Sequence, residues 1–375
     1  MVFVIFLLAV ILVVVNAIPV LSLAQAKGFK LKPTGFAYFI GAIGNLIAGN
    51  IVPISAQAET ISLAGLIKNV NERIGALFIA AVFGIIFGLS GGTTAIVNLA
   101  GPSAIDGMIG GVGIILSMVA IDLMKSERRT GIVSIISALI TWSICNTFRI
   151  SNALIWTIAA SVVLSTSDFF VIQKQRIDHA IIPDDARESE EFRFWKKEYW
   201  QDFKLLKPKF SIPAALSGLS LFCLNVGSNI SFGNIASSLA GTEPHLNALT
   251  VISGLVDIPS VLFGGTPIKA IISGTAAAPW PLMAGVVMML MCAFLLLTGV
   301  IGRLGKYIPP ASISGFLLVI GLFVTFVPNL NSVMNSGNPM AGVVALGVTA
   351  LTKNAFIGIV VGSIVQATGG LLGLI

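Results

Sequence analysis

Charge is what this chain of 375 residues has least of: Asp, Glu, Lys and Arg make up 10% of it, against 56% hydrophobic residues. A soluble domain carries roughly 25% charged and about 45–50% apolar residues. So few polar side chains could not cover a water-facing surface. That excludes soluble enzymes and nucleic-acid-binding proteins, and it reads as a multi-pass protein of the cell membrane. Cysteine is nearly absent too. Cys145, Cys223 and Cys292 lie far apart in apolar stretches without ligand spacing, so neither a disulfide framework nor a metal site is expected. The only two histidines, His179 and His245, fall in expected loops on opposite sides of the membrane. Gly88-Leu89-Ser90-Gly91-Gly92 fits a serine-nucleophile pattern, but Ser90 then has no base to activate it. No phosphate-binding GxxxxGK[ST] motif occurs, which argues against an ATP-driven pump. Neither an enzymatic activity nor a cofactor is expected. The net charge of +6 is assigned to cytoplasmic loops rather than to nucleic acid.

What is present is a succession of apolar runs. A membrane-crossing helix needs about 20 apolar residues. Marking the runs predicts spans at 2–24, 35–51, 52–67, 74–95, 102–124, 130–147 and 152–172, then 210–232, 246–263, 266–280, 281–302, 309–328, 339–352 and 354–375. The third and tenth are short and broken by Pro53, Gly264, Gly265 and Pro267. The expected fold is an all-α polytopic membrane protein of fourteen transmembrane segments. It divides into a first seven-span repeat (1–172), a hydrophilic cytoplasmic linker (173–209) and a second seven-span repeat (210–375). Every Lys and Arg except Arg149 and Lys269 follows an odd-numbered span. Positively charged loops stay in the cytoplasm, so the odd loops are assigned there and both termini outside.

Two pieces of sequence recur in the same order. Pro53-Ile54-Ser55-Ala56 matches Pro267-Ile268-Lys269-Ala270. Pro102-Ser-Ala-Ile105-Asp-Gly107, with Gly113 beyond it, matches Pro310-Ala-Ser-Ile313-Ser-Gly315, with Gly321 beyond it. Together they indicate a duplicated unit. Seven spans separate the copies, and seven is odd, so the copies run through the membrane in opposite directions. Such an inverted repeat, with interrupted spans at corresponding positions, is a plan of secondary transporters and places substrate near the bilayer midplane.

Four segments resemble the nucleobase–cation symporter-2 family of uracil and xanthine permeases, of which the chain would be a divergent member. They are Val261-Leu262-Phe263-Gly264-Gly265-Thr266-Pro267, Asn225-Val226-Gly227-Ser228, Ile308-Pro309-Pro310 through Gly321, and Gly49-Asn50-Ile51 through Ser62. The resemblance implies a core domain (spans one to four and eight to eleven) and a gate domain (five to seven and twelve to fourteen). It also implies that the broken spans each give a short antiparallel strand, with substrate between them and span eight. The chain departs from the family in two ways. The family's carboxylates in spans eight and ten correspond to positions near Leu224 and Ser273, so neither acid is present. Family members also keep both termini in the cytoplasm.

The candidate substrate ligands are Gln57, Glu59, Asn225, Ser228, Asn229, Lys269 and Ser273, and the candidate proton-coupling residues are Glu59 and Asp257. A charge within the bilayer is costly and needs a reason. Glu59 is read as a ligand or proton carrier, or else as a partner for Lys269 or a helix end. Lys269 is read as a counter-charge for an anionic substrate, as that partner, or as a residue snorkelling to the rim. Asp257 is either a proton site or a bond to backbone freed at Pro259. Asn225, Ser228 and Asn229 share a helix face and suit either a polar ring or helix–helix bonding. Asn45 is a weaker candidate of the same kind, and Asp106 is read as a rim or domain contact. The function expected is secondary active transport of a nucleobase (uracil, xanthine or another purine) or a similar small polar solute. A permease of the symporter type is meant, coupled to protons in preference to sodium, in a lipid bilayer, with a homodimer allowed. The alternatives are an anion transporter of sulfate-permease architecture, favoured by Lys269 and the missing acids, and an uncoupled channel.

Overall fold

The computed structural model describes residues 2–65, 67–150, 153–177, 203–301 and 309–371. Most of the expected hydrophilic linker, 178–202, lies outside the described residues. The first half runs α1 (Val2–Ala26), α2 (Leu31–Ala48), β1 (Ile54–Ala56), α3 (Ala58–Gly65), α4 (Val70–Leu89), α5 (Gly92–Ser126), α6 (Arg128–Thr147) and α7 (Ala153–Ile177). The second half runs α8 (Ile212–Ala240), α9 (Leu246–Leu262), β2 (Ile268–Ala270), a 3-10 turn (Gly274–Ala277), α10 (Pro281–Leu297), α11 (Pro310–Met334), α12 (Pro339–Thr352) and α13 (Ala355–Leu371). Among the described residues, six helices are long and apolar enough to cross a membrane. The protein is a multi-pass membrane protein.

Helix ends follow local chemistry. Asn69 accepts from the Asn71 and Glu72 amides to start α4, and Ser211 accepts from Ala214 to start α8. Gly49 and Gly241 stop α2 and α8 in the left-handed conformation. Gly101, at φ 75°, kinks α5 immediately before Pro102, so the expected boundary near that proline is a bend within a continuous helix. α11 opens with a 3-10 turn and widens into a π stretch over Ile320–Phe326, where Gly321 meets Gly113 of α5.

The helices pack as two groups. One holds α1, α2, α4, α8, α9 and α10 with both strands; the other holds α5, α6, α7, α11, α12 and α13. The pairings follow the expected repeat. Exchanging each element for its counterpart seven spans on turns α4–α9 into α10–α2, α6–α7 into α12–α13, α5–α12 into α11–α6, and α4–α8 into α10–α1; all eight pairs are in contact. The strands are antiparallel, with Ile54 opposite Ala270, Ser55 opposite Lys269 and Ala56 opposite Ile268. The recurring Pro-Ile-x-Ala segments therefore meet head to tail, as the inverted repeat requires.

Candidate functional site

Strands of three residues cannot stand alone, and side chains from α2 and α9 hold these two. Tyr38, fully buried on α2, accepts from the Ala56 amide at 3.0 Å and bonds the Ser55 hydroxyl at 2.5 Å. Asn45 donates to the Val52 carbonyl at 2.7 Å, and the Ile271 amide donates to Pro53 at 3.1 Å. Gly264, at φ 83°, turns the chain out of α9, and Gly265 packs where a Cβ would meet Ser260 and the Thr34 backbone. Thr34 accepts from the Thr266 amide at 2.9 Å, and Ser260 donates to the Thr266 carbonyl at 2.7 Å. Backbone groups freed by the broken spans are thereby paired, which an apolar surrounding demands.

Lys269 is bound to Asp257, and both side chains are only 2% exposed. The other Asp257 oxygen accepts the Ile268 amide at 2.9 Å. This settles the partner of Lys269 differently from one of the sequence expectations: its ammonium pairs with Asp257 of α9. The Glu59 side chain lies outside the described residues. Asp257 sits where the loop through Gly264-Gly265 folds β2 back along α9, a closeness that linear spacing does not reveal. Lys269 is therefore charge-compensated, and it does not line the cavity described next.

Beside the strand pair lies a cavity of about 340 Å³. Its walls come from α1 (Val13, Asn16, Ala17, Val20), α5 (Leu116, Val119, Leu123, Ser126), Phe232 of α8 and the start of α11 (Pro310, Ile313, Phe316, Leu317). Its floor is Ser55-Ala56-Gln57 and Ile271-Ile272-Ser273, the ends of the two broken spans. Among the described residues, no charged side chain lines it. Gln57 immediately precedes α3, whose first amides have no intrahelical acceptor, so a polarised helix start follows the floor segment directly in the chain. Gln57 itself donates to the Ala270 carbonyl and accepts from Thr60 at 3.0 Å. Ser273 bonds Thr275 at 2.5 Å.

Of the expected ligands, Gln57 and Ser273 come together here. Asn225, Ser228 and Asn229 are buried in α8 and do not line the cavity. Asn225 accepts from Thr60 at 3.5 Å, and Asn229 donates to Thr250 and Ser253 of α9 at 3.3 and 3.2 Å, so these amides knit helices together. Ser90 bonds back to Phe87 at the end of α4, and Asp106 accepts from Ser332 of α11. Asn16 was not foreseen as a site residue. It is the one amide between Val2 and Leu23, a signal that a long apolar run makes easy to discount.

No family model and no curated protein matches the sequence. Solved structures do match the fold. The transmembrane domain of a cyanobacterium bicarbonate transporter, BicA, aligns with a TM-score of 0.53 at 17% identity, over 95% of this chain and 96% of that one. The murine solute carrier 26 family member A9 anion transporter, in its inward-facing state, aligns at 0.54 and 16% over 99% of this chain and 68% of that one. A second structure of SLC26A9 aligns at 0.55 and 13% over 99% of this chain and 66% of its own length. These matches correct the resemblance to nucleobase–cation symporters: the fold is shared with anion transporters. The Gly264-Gly265-Thr266-Pro267 motif that suggested the other family forms the turn from α9 into β2 in this chain.

Proposed function

We propose that this chain is a secondary transporter of small anions, working by movement of one packed helix group against the other. The observation that carries the reading is the cavity at the crossing of the two strands. Its floor and the α1 and α8 walls belong to the first group, and its α5 and α11 walls belong to the second. A solute held there must be released when the groups shift. Broken helices whose N-terminal ends face a midplane site are a recurrent way to hold an anionic group without a fixed cation. The fold shared with BicA and with the A9 transporter supports anions over nucleobases. The absence of the carboxylates expected to grip a base points the same way.

In this reading all fourteen segments cross the membrane, the first group is the core domain and the second is the gate. The cavity extends toward the end of α5 at Ser126 and the start of α11 at Pro310. Lys125, Arg128, Arg129, Arg303 and Lys306 cluster in sequence near those ends. By the positive-inside rule that side is cytoplasmic, and the conformation is inward-facing. Coupling to protons rests with Glu59, the one carboxylate of the two broken spans. Glu59→Gln should keep substrate exchange and lose accumulation driven by a pH gradient.

The test is uptake into proteoliposomes of the purified chain, with radiolabelled formate, bicarbonate and sulfate beside uracil and xanthine. Saturable uptake of at least one anion, with neither base transported, is expected. Uptake of the bases without the anions would overturn the proposal.

A further inference from the structure

The walls of the cavity are stripes of hydrocarbon. α1 contributes Val13, Ala17 and Val20, α5 contributes Leu116, Val119 and Leu123, and the start of α11 adds a third such stripe. The spacing follows the helical repeat, so each of the first two is a continuous apolar face about 10 Å long. Fourteen of the nineteen described residues that line the cavity are apolar. Asn16 adds only carbon, because its amide nitrogen and oxygen are themselves buried. Ser126 lies at the exposed end of α5 and donates to the Leu123 carbonyl at 2.7 Å. The remaining polar side chains, Ser55, Gln57 and Ser273, all belong to the floor.

The space of about 340 Å³ has room for on the order of ten water molecules. Water in an apolar enclosure lacks the two to four polar partners that hold it in place. A compact inorganic anion would fill little of this volume and leave the stripes wet. A hydrocarbon body would replace that water and gain free energy with every apolar group it buries.

The floor, in turn, has donors to spare. Tyr38 accepts from the Ala56 amide, so its own buried hydroxyl hydrogen has only Ser55 as acceptor among the described residues. The Ser55 hydrogen is then left over. Thr275 is fully buried and has Ser273 as its one partner, which leaves the Ser273 hydrogen over in the same way. A carboxylate has acceptors only, the complement of such donors.

Resting on the anion-transport reading above, we infer that the solute is a carboxylate with a short hydrocarbon body. Its head lies on the floor and its body lies between the stripes of α1, α5 and α11.

The experiment places the full chain in lipid nanodiscs and titrates it calorimetrically with formate, acetate, propionate, butyrate, bicarbonate, sulfate and butyramide. The Kd should tighten about fourfold for each added CH2 from formate to butyrate, the effect of burying one methylene. Bicarbonate and sulfate should bind more weakly than butyrate. Butyramide matches butyrate in size but brings donors and no charge, and should bind about tenfold more weakly or worse. Val119→Thr keeps the shape of the side chain, and its hydroxyl can bond back within α5. It should raise the Kd of butyrate about threefold and leave formate nearly unchanged. At least one of Ser55→Ala and Ser273→Ala should raise the Kd of the whole series by a common factor of about ten. An affinity independent of chain length, or bicarbonate or sulfate binding more tightly than butyrate, overturns the hydrocarbon site. The wild-type series decides this whether or not a serine variant folds. Equal binding of butyramide and butyrate overturns the carboxylate head, and two folded serine variants with unchanged Kd values overturn its place on the floor. Binding of none of the anions defeats the anion-transport reading itself, an outcome distinct from inorganic anions being preferred.

Discussion

Asp257 grips β2 twice: one carboxylate oxygen pairs with the Lys269 ammonium and the other accepts the Ile268 amide at 2.9 Å. The pair locks a three-residue strand to α9 and removes a net charge from the centre of the protein. Removing one partner of a buried pair leaves the other uncompensated, at a cost of ~3–5 kcal/mol. Asp257→Asn should therefore lower the melting temperature in detergent markedly. The double variant Asp257→Asn with Lys269→Met should recover most of that loss. Equal melting of Asp257→Asn and wild type would show that the pair does not fix the strand.

Tyr38 supports the other strand. Its hydroxyl accepts from the Ala56 amide and bonds Ser55. Tyr38→Phe leaves those buried groups without a partner, a loss of about 1–3 kcal/mol. Hydrogen exchange at Ala56 should accelerate while amides in α4 and α12 keep their protection. A uniform change across the chain would mean that Tyr38 acts on global stability instead.

Gly107 is a close-approach glycine. A Cβ built there would overlap the Gly342 backbone, so α5 and α12 touch at this point without side chains between them. Gly107→Val should force the helices apart, destabilising by ~1–3 kcal/mol or more and lowering the yield of monodisperse protein. Gly347→Val, on α12 with nothing near its Cβ, is the control and should behave as wild type. Similar losses in both variants would rule out the close contact as the cause.

Sidedness can be read with single cysteines in a background lacking Cys145, Cys223 and Cys292. Lys68→Cys lies in a loop that follows an odd-numbered span, and Thr242→Cys lies in one that follows an even-numbered span; both positions are exposed. An impermeant thiol reagent applied to intact cells should label Thr242→Cys and spare Lys68→Cys. The reverse pattern would place both termini in the cytoplasm.

The sequence by itself determined the membrane location, the breaks in the third and tenth spans, and the meeting of those breaks. Hydropathy, proline and the recurring Pro-Ile-x-Ala act locally, and an odd number of crossings fixes relative direction without any coordinates. The sorting of Lys and Arg likewise depends only on order along the chain. What tertiary structure alone decided was partnership. The turn at Gly264-Gly265 folds β2 back along α9 and brings Lys269 to Asp257, so the charge that had seemed available to a substrate is neutralised. The amides of α8 at Asn225 and Asn229 face helix neighbours, because an amide on an apolar helix bonds whatever packs against it, and periodicity does not say what that is. Asn16 lines the cavity while its amide nitrogen and oxygen stay buried without a partner, an arrangement that periodicity likewise does not announce. Motif likeness misjudged the family because glycine, threonine and proline at a helix break report the geometry of the break and not the solute carried.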